Sequence, residues 1–154
     1  MKIENRRLVL EQIDRKLLPF VQAKSIQVPE RGWIHSIRIA LKIPLSQLAR
    51  RMGVARQTIR AYEIREAEGS VTLKSLREIA KAMNLTLVYA LVPNEDSLEQ
   101  LIERQAEKIA RSIVLRTSKS MELEEQNVSR ERIEKAIRAK TEELIRTMPR
   151  YLWD

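Results

Sequence analysis

The sequence predicts a mainly α-helical protein: a central unit of four short helices, one short β-strand and a helical C-terminal extension. Apolar residues recur every three or four positions over most of the chain, which is the spacing of one helix face. Only 3 Gly and 5 Pro interrupt 154 residues of which 44% are hydrophobic, so the chain can bury a core. One stretch, Leu85 to Val92, has no charge and joins β-branched to aromatic residues, the composition of a strand.

The elements follow in order. Leu8, Ile13, Leu17, Leu18 and Val21 predict an N-terminal helix kinked or stopped at Pro19, and Ser25 to Gly32, with Pro29, reads as a linker; together they make a segment 1–32. In the unit 33–84, Ile34, Ile37 and Leu41 form the stripe of a first helix ended by Pro44. Leu48, Ala49 and Met52 mark a second, stopped by Gly53, which can take the left-handed conformation of a tight turn. A third is expected over Ala55 to Glu63, with Ile59 and Tyr62 inward. Thr72 is a good N-cap for a fourth, buried through Leu73, Leu76, Ile79, Ala80 and Met83. The strand is placed at 85–93, ended by Pro93. It would need a partner, either Ile26 to Val28 or the same segment of another copy. Over 94–154, Asn94 can cap a long helix carrying Leu98, Ile102, Ala106, Ile109 and Ile113. Thr117 to Val128 is polar and weakly periodic, and Ser129 caps a last helix with Ile133, Ile137, Leu144 and Met148. This extension is expected to dimerise or to hold a partner. Tyr151 and Trp153 near residue 154 would either dock in a groove or bind a partner.

Charge narrows the function. The chain carries 29 Lys and Arg against 21 Asp and Glu, a formal charge of +8, and residues 31–65 hold eight cations against the single anion Glu63. A segment this positive suits a polyanion, because Lys and Arg displace counterions from a phosphate backbone. The competing reading is a solubilising surface. Zero Cys and the single His35 exclude disulfides, thiolate zinc sites, cysteine nucleophiles and histidine-cluster metal sites. No apolar run approaches the length of a membrane span and the first residues form no signal core, so the expected location is cytoplasmic.

The residues Leu48-Ala49-Arg50-Arg51-Met52-Gly53-Val54-Ala55-Arg56-Gln57-Thr58-Ile59-Arg60-Ala61-Tyr62-Glu63 break the tie. They resemble the helix-turn-helix of phage-repressor-like, XRE-type DNA-binding domains. Ala49 permits close helix contact, Gly53 permits the turn, and Val54 with Ile59 plugs the interface, which turns one side of the third helix outward. That side carries residue types suited to the major groove: Arg56 and Arg60 for guanine, Gln57 for adenine, Ala61 for a thymine methyl. The resemblance implies that these four read bases, while Lys42, Thr58 and Arg65 position phosphates. It also implies a buried ion pair between Arg38 and Glu63. Two departures weaken the usual contacts. Pro44 and Leu45 stand where the family has a hydroxyl cap followed by Gln, and Ala55 replaces the Ser or Thr cap of the third helix, a loss of about 1 kcal/mol.

A wider resemblance covers Gly32-Trp33-Ile34, Leu48 to Val54, Glu66-Ala67-Glu68-Gly69-Ser70-Val71-Thr72-Leu73 and Leu87-Val88-Tyr89-Ala90-Leu91-Val92-Pro93. These stretches look like the bacterial mobile mystery protein A family, which is encoded beside a partner with a Fic-type fold. That resemblance implies an autoregulating transcriptional regulator of a mobile two-gene cassette, acting at its operator on the nucleoid, or alternatively an antitoxin-like protein that holds the Fic-type partner through its C-terminal helices. Known Fic inhibitors carry Ser or Thr, three residues, then Glu and Gly or Asn. Here only Glu4-Asn5 and Glu68-Gly69 end that way, and neither has the hydroxyl.

The expected partners are double-stranded DNA and a second copy, since two reading helices about 34 Å apart read a palindrome. No cofactor is expected. An enzyme is disfavoured by the lack of a Gly-rich phosphate loop, a nucleophile elbow or a ligand cluster. RNA is disfavoured by 4% aromatic residues, which offer few stacking platforms. His35 reads as an ordinary surface or packing residue, Trp33 as a pin for the linker, and Tyr62 as the edge of the core.

Overall fold

A computed structural model describes residues 2–123 and 129–154, the side chains at 120–123 excepted. Among them seven α-helices follow in order: α1 (Ile3–Val21), α2 (Gly32–Ala40), α3 (Leu45–Met52), α4 (Arg56–Glu68), α5 (Leu73–Ala82), α6 (Leu98–Leu123) and α7 (Arg130–Thr147), with 3-10 turns at Gln22–Ser25 and Arg150–Trp153. Helix α1 runs through Pro19 to Val21. The missing N–H lies in an exposed last turn, where one lost bond is tolerated. None of the helices is long and apolar enough to cross a membrane. The chain divides into two compact units, Lys24–Ala90 and the described residues of Met1–Ala23 with Leu91–Asp154.

In the Lys24–Ala90 unit, Ile34 of α2, Leu48 and Ala49 of α3, Ile59 of α4, and Ile79 and Met83 of α5 make one core, with Leu48, Ile59 and Ile79 wholly buried. Each such side chain contributes roughly 1.5–3 kcal/mol by leaving water. Helix α2 starts at Gly32, whose φ of +82° belongs to glycine. Its first free N–H groups are taken by Glu66 of α4, which accepts from Trp33 N at 2.6 Å and Ile34 N at 3.0 Å. A carboxylate at that end is also favoured by the helix dipole. A Cβ on Gly32 would sit 2.8 Å from Glu66 Cδ, so glycine and clamp require each other. Helix α4 runs five residues beyond the expected Glu63 and ends at Gly69, φ +78°. Thr72 caps α5, accepting from Ser75 N at 3.1 Å.

In the other unit, α6 and α7 form an antiparallel pair around Ala106, Ala110, Ile137 and Leu144. The two alanines let the backbones approach closely. Leu152 of the C-terminal 3-10 turn is wholly buried in the same core, and Gln105 Nε2 donates to its carbonyl at 2.7 Å. The tail is thus docked by its leucine, leaving Tyr151 and Trp153 about half exposed. The N-terminus of α6 is closed by Ser97, which accepts from Gln100 N, and from a distance by Asp14 of α1, which accepts from Leu98 N at 2.7 Å and Glu99 N at 3.3 Å. Asn94, expected to cap this helix, lies before its start. Arg6 of α1 donates to the carbonyls of Ile145 and Arg146 in the last turn of α7, where a cation is favoured. Ser129 caps α7, accepting from Arg132 N at 3.3 Å. The polar stretch from Thr117 continues α6 as far as Leu123, and residues 124–128 lie outside the described residues.

The strand expected at 85–93 is not formed: no strand occurs among the described residues. The side-chain composition fits a strand, but a strand exists only in a ladder, and Ile26 to Val28 does not supply one. After Leu85 N closes α5 on Ala80 O at 2.8 Å, the segment runs without regular structure, with Val88, Tyr89 and Leu91 exposed.

Candidate nucleic-acid interface

The geometry of α3 and α4 is set by three residues. Gly53 takes φ +65°, ψ +32°, so its N–H and that of Val54 close the end of α3 on Ala49 and Arg50 carbonyls. Val54 packs against the core behind them, Ala55 is extended, and α4 begins at Arg56. Neither Pro44 before α3 nor Ala55 before α4 offers a side-chain cap. The first N–H groups of α4 therefore have no side-chain cap.

Ile59 and half-buried Tyr62 point inward. Arg56, Gln57 and Arg60 are exposed on the opposite side, and Ala61 and Thr58 are half-buried at its edges. Arg56 and Arg60, and likewise Gln57 and Ala61, are four residues apart and so stack along one face. Ile64 continues that face at 49% exposure. Sequence periodicity passed over Ile64, because an exposed isoleucine breaks no pattern that a core residue would make. Arg65 is exposed one turn further on, and Lys42 is exposed in the turn between α2 and α3 with φ +54°.

Beneath this face Arg38 and Glu63 meet in the interior, each 7% exposed. Arg38 Nε and Nη2 both donate to the Glu63 carboxylate, and Nη1 donates to Ile43 O at 3.0 Å. The pair thus joins α2 to α4 and holds the turn before α3. His35 Nδ1 lies 3.1 Å from Glu63 Oε2. A carboxylate can only accept, so that nitrogen carries the proton and donates. Burial pushes the Glu63 carboxyl up, but the bonds and charges of Arg38 and then His35 outweigh it, so the group is held below the ordinary carboxylate value. His35 is a third member of the pair, a role its sequence neighbourhood did not reveal.

The cations of 31–65 separate into two groups. Arg38 is buried, and Arg51 donates to Ala82 O at 3.2 Å, which ties α3 to the end of α5. Arg31, Lys42, Arg50, Arg56, Arg60 and Arg65 are exposed and have no acidic partner among the described residues. The nearby anions Glu63 and Glu66 are engaged by Arg38, His35 and the α2 N-terminus. The surface is left with six exposed cations that form no ion pair among the described residues.

Residues 34–89 match the family model described as helix-turn-helix, a span running from α2 to beyond α5. The unit is therefore a helix-turn-helix domain of the XRE type, the kind found in DNA-binding regulators. No curated protein and no solved structure matches the chain.

Proposed function

We propose that the protein is a sequence-specific regulator of transcription that inserts α4 into the major groove of double-stranded DNA. In this reading Arg56, Gln57, Arg60 and Ala61 contact base edges, while Lys42, Thr58 and Arg65 fix the register on phosphates. The observation that carries it is the outward face of α4, where two unpaired arginines and a glutamine stand on a helix-turn-helix frame. Arg forks match guanine O6 and N7, and Gln matches adenine N6 and N7. The protein acts as a pair of copies on a palindrome, in the cytoplasm at its operator on the nucleoid. The resemblance to mobile mystery protein A makes the promoter of its own cassette the first operator to try.

The test is a footprint upstream of its own gene, repeated across salt. With about six phosphates neutralised, affinity should fall roughly a thousandfold between 50 and 200 mM salt. A flat salt response, or protection with no base preference, overturns the reading.

A second reading has its own observation. An apolar cavity of about 440 Å³ is lined by Ile3, Val9, Leu10, Ile13, Ile102 and Ile145 of the Met1–Ala23 and Leu91–Asp154 unit. It would suit an antitoxin-like protein that holds the Fic-type partner encoded beside it. Co-purification of the two gene products supports this, and their separation at the first column excludes it.

A further inference from the structure

A cavity of about 370 Å³ opens within the Lys24–Ala90 unit, between α2, the start of α3 and α4. The Arg38–Glu63–His35 cluster floors it, Leu45, Ile64 and Ala67 give it apolar walls, and Arg31 and Arg60 stand exposed at its mouth. Arg60, Ile64 and Ala67 follow at steps of four and three, so a single strip of α4 makes one side. The DNA reading gives Ile64 no task, yet its side chain stands half in water.

Among the described residues that line the cavity, three are arginines and Glu63 is the one acid. Both Glu63 oxygens already accept, Oε1 from Arg38 and Oε2 from Arg38 and His35, so that charge is met from within. Arg38 carries five N–H groups and its three bonds use three, which leaves two on a buried guanidinium that lines the cavity. Arg31 and Arg60 have no acidic partner among the described residues. The cavity therefore offers more cationic donors than its own acid can use, set against apolar walls.

We propose that this cavity binds a small organic anion, a carboxylate on an apolar body the size of phenylacetate, and that the bound anion holds Arg60 away from DNA. A carboxylate takes a forked pair of bonds from a guanidinium, and charge-assisted bonds of this kind are the stronger ones. The apolar body would cover Ile64, Leu45 and Ala67, which bare phosphate leaves uncovered. A phosphate of duplex DNA, fixed between two sugars, can meet the arginines at the mouth but brings nothing to those walls. The volume lies at the lower end of small-molecule sites, about 300–1,000 Å³. Arg60 cannot hold a carboxylate and fork a guanine at once. The competition with DNA thus rests on the reading of α4 given above, whereas the binding does not.

The test is calorimetric titration of the full chain, without DNA, with phenylacetate, indole-3-acetate and hexanoate. At least one should bind at one per chain with Kd of about 1 mM or tighter. The amide of that acid, alike in shape but uncharged, should bind about tenfold more weakly or not at all, and so should inorganic phosphate. Arg31→Gln should weaken the acid about tenfold. Ala67→Phe, which fills the wall, should abolish binding, while Arg50→Gln, at an exposed cation that does not line the cavity, should bind as the parent does. Variants are compared at matched helical circular dichroism, and the exposed Arg31→Gln decides the matter if Ala67→Phe misfolds. No binding by any of the three acids, equal binding of acid and amide, or a loss in Arg50→Gln as large as in Arg31→Gln overturns the site. In the footprint, the binding acid at saturation should lower DNA affinity about tenfold or more, and an unchanged footprint overturns the competition. A protein that binds no DNA even without the acid fails the DNA reading, takes the competition with it, and leaves the titration result as it stands.

Discussion

The two compact units use charge in opposite ways. Lys24–Ala90 holds twelve Lys and Arg against five Asp and Glu, while the remainder of the chain holds seventeen against sixteen. In the balanced unit exposed cations have acidic partners at four places: Arg7 pairs with Glu11, Arg104 with Glu95, Arg111 with Glu107 and Glu134, and Lys140 with Glu143. In the unbalanced unit two ion pairs centre on buried Glu63, while Arg50, Arg56, Arg60 and Arg65 are exposed with no acidic partner among the described residues. The difference teaches what to count. A charge run says little until its partners are known, and cations that remain unmatched after folding mark a surface made for a foreign anion.

The sharpest way to break the comparison is to remove its one interior anion. Glu63→Ala strands Arg38 in the core and should destabilise the Lys24–Ala90 unit by about 3–5 kcal/mol, read as a lowered thermal midpoint. A melt matching the parent would remove the pair from the account. The same carboxylate sets an acid limit. Because its folded value lies below its unfolded one, its contribution is complete above about pH 4.5 and is lost as pH falls through the folded value. Glu63→Gln should flatten that acid transition.

Gly32→Ala comes next. Positive φ alone costs about 1–2 kcal/mol with a Cβ, and displacement of Glu66 from the α2 N-terminus adds to it, so denaturant midpoints should fall. Replacing Arg56 or Gln57 by Ala should leave the melt unchanged, cost roughly 1–3 kcal/mol of DNA affinity and relax preference at one base position. Lys42→Ala should weaken all sequences about equally and lower the salt slope by about one. The smallest effect belongs to the balanced unit: Arg111→Ala breaks two exposed pairs and should move neither the melting midpoint nor DNA affinity beyond experimental scatter.

Local signals in the sequence locate much of this. Gly53 ends a helix where a left-handed residue is needed, Thr72 and Ser129 begin helices, and Ile59 recurs at core spacing. The end of α4 was hidden because Ile64 to Glu68 are largely exposed and polar, which leaves no stripe to read. Glu66 and Asp14 look like ordinary surface acids, yet they close helix termini 33 and 84 residues away. No periodicity encodes a contact at that range. The strand failed for a related reason: composition reports what a segment could pair with, not whether a mate exists in the same chain.

Asp14 carries one more consequence, for the order in which the molecule is made. Helix α1 is translated ahead of its partner, has no buried residue, and its Asp14 cannot meet Leu98 until another 84 residues have followed. The helix-turn-helix unit is contiguous and inserted between the two parts of the other, so it can mature on the nascent chain while its host is still incomplete.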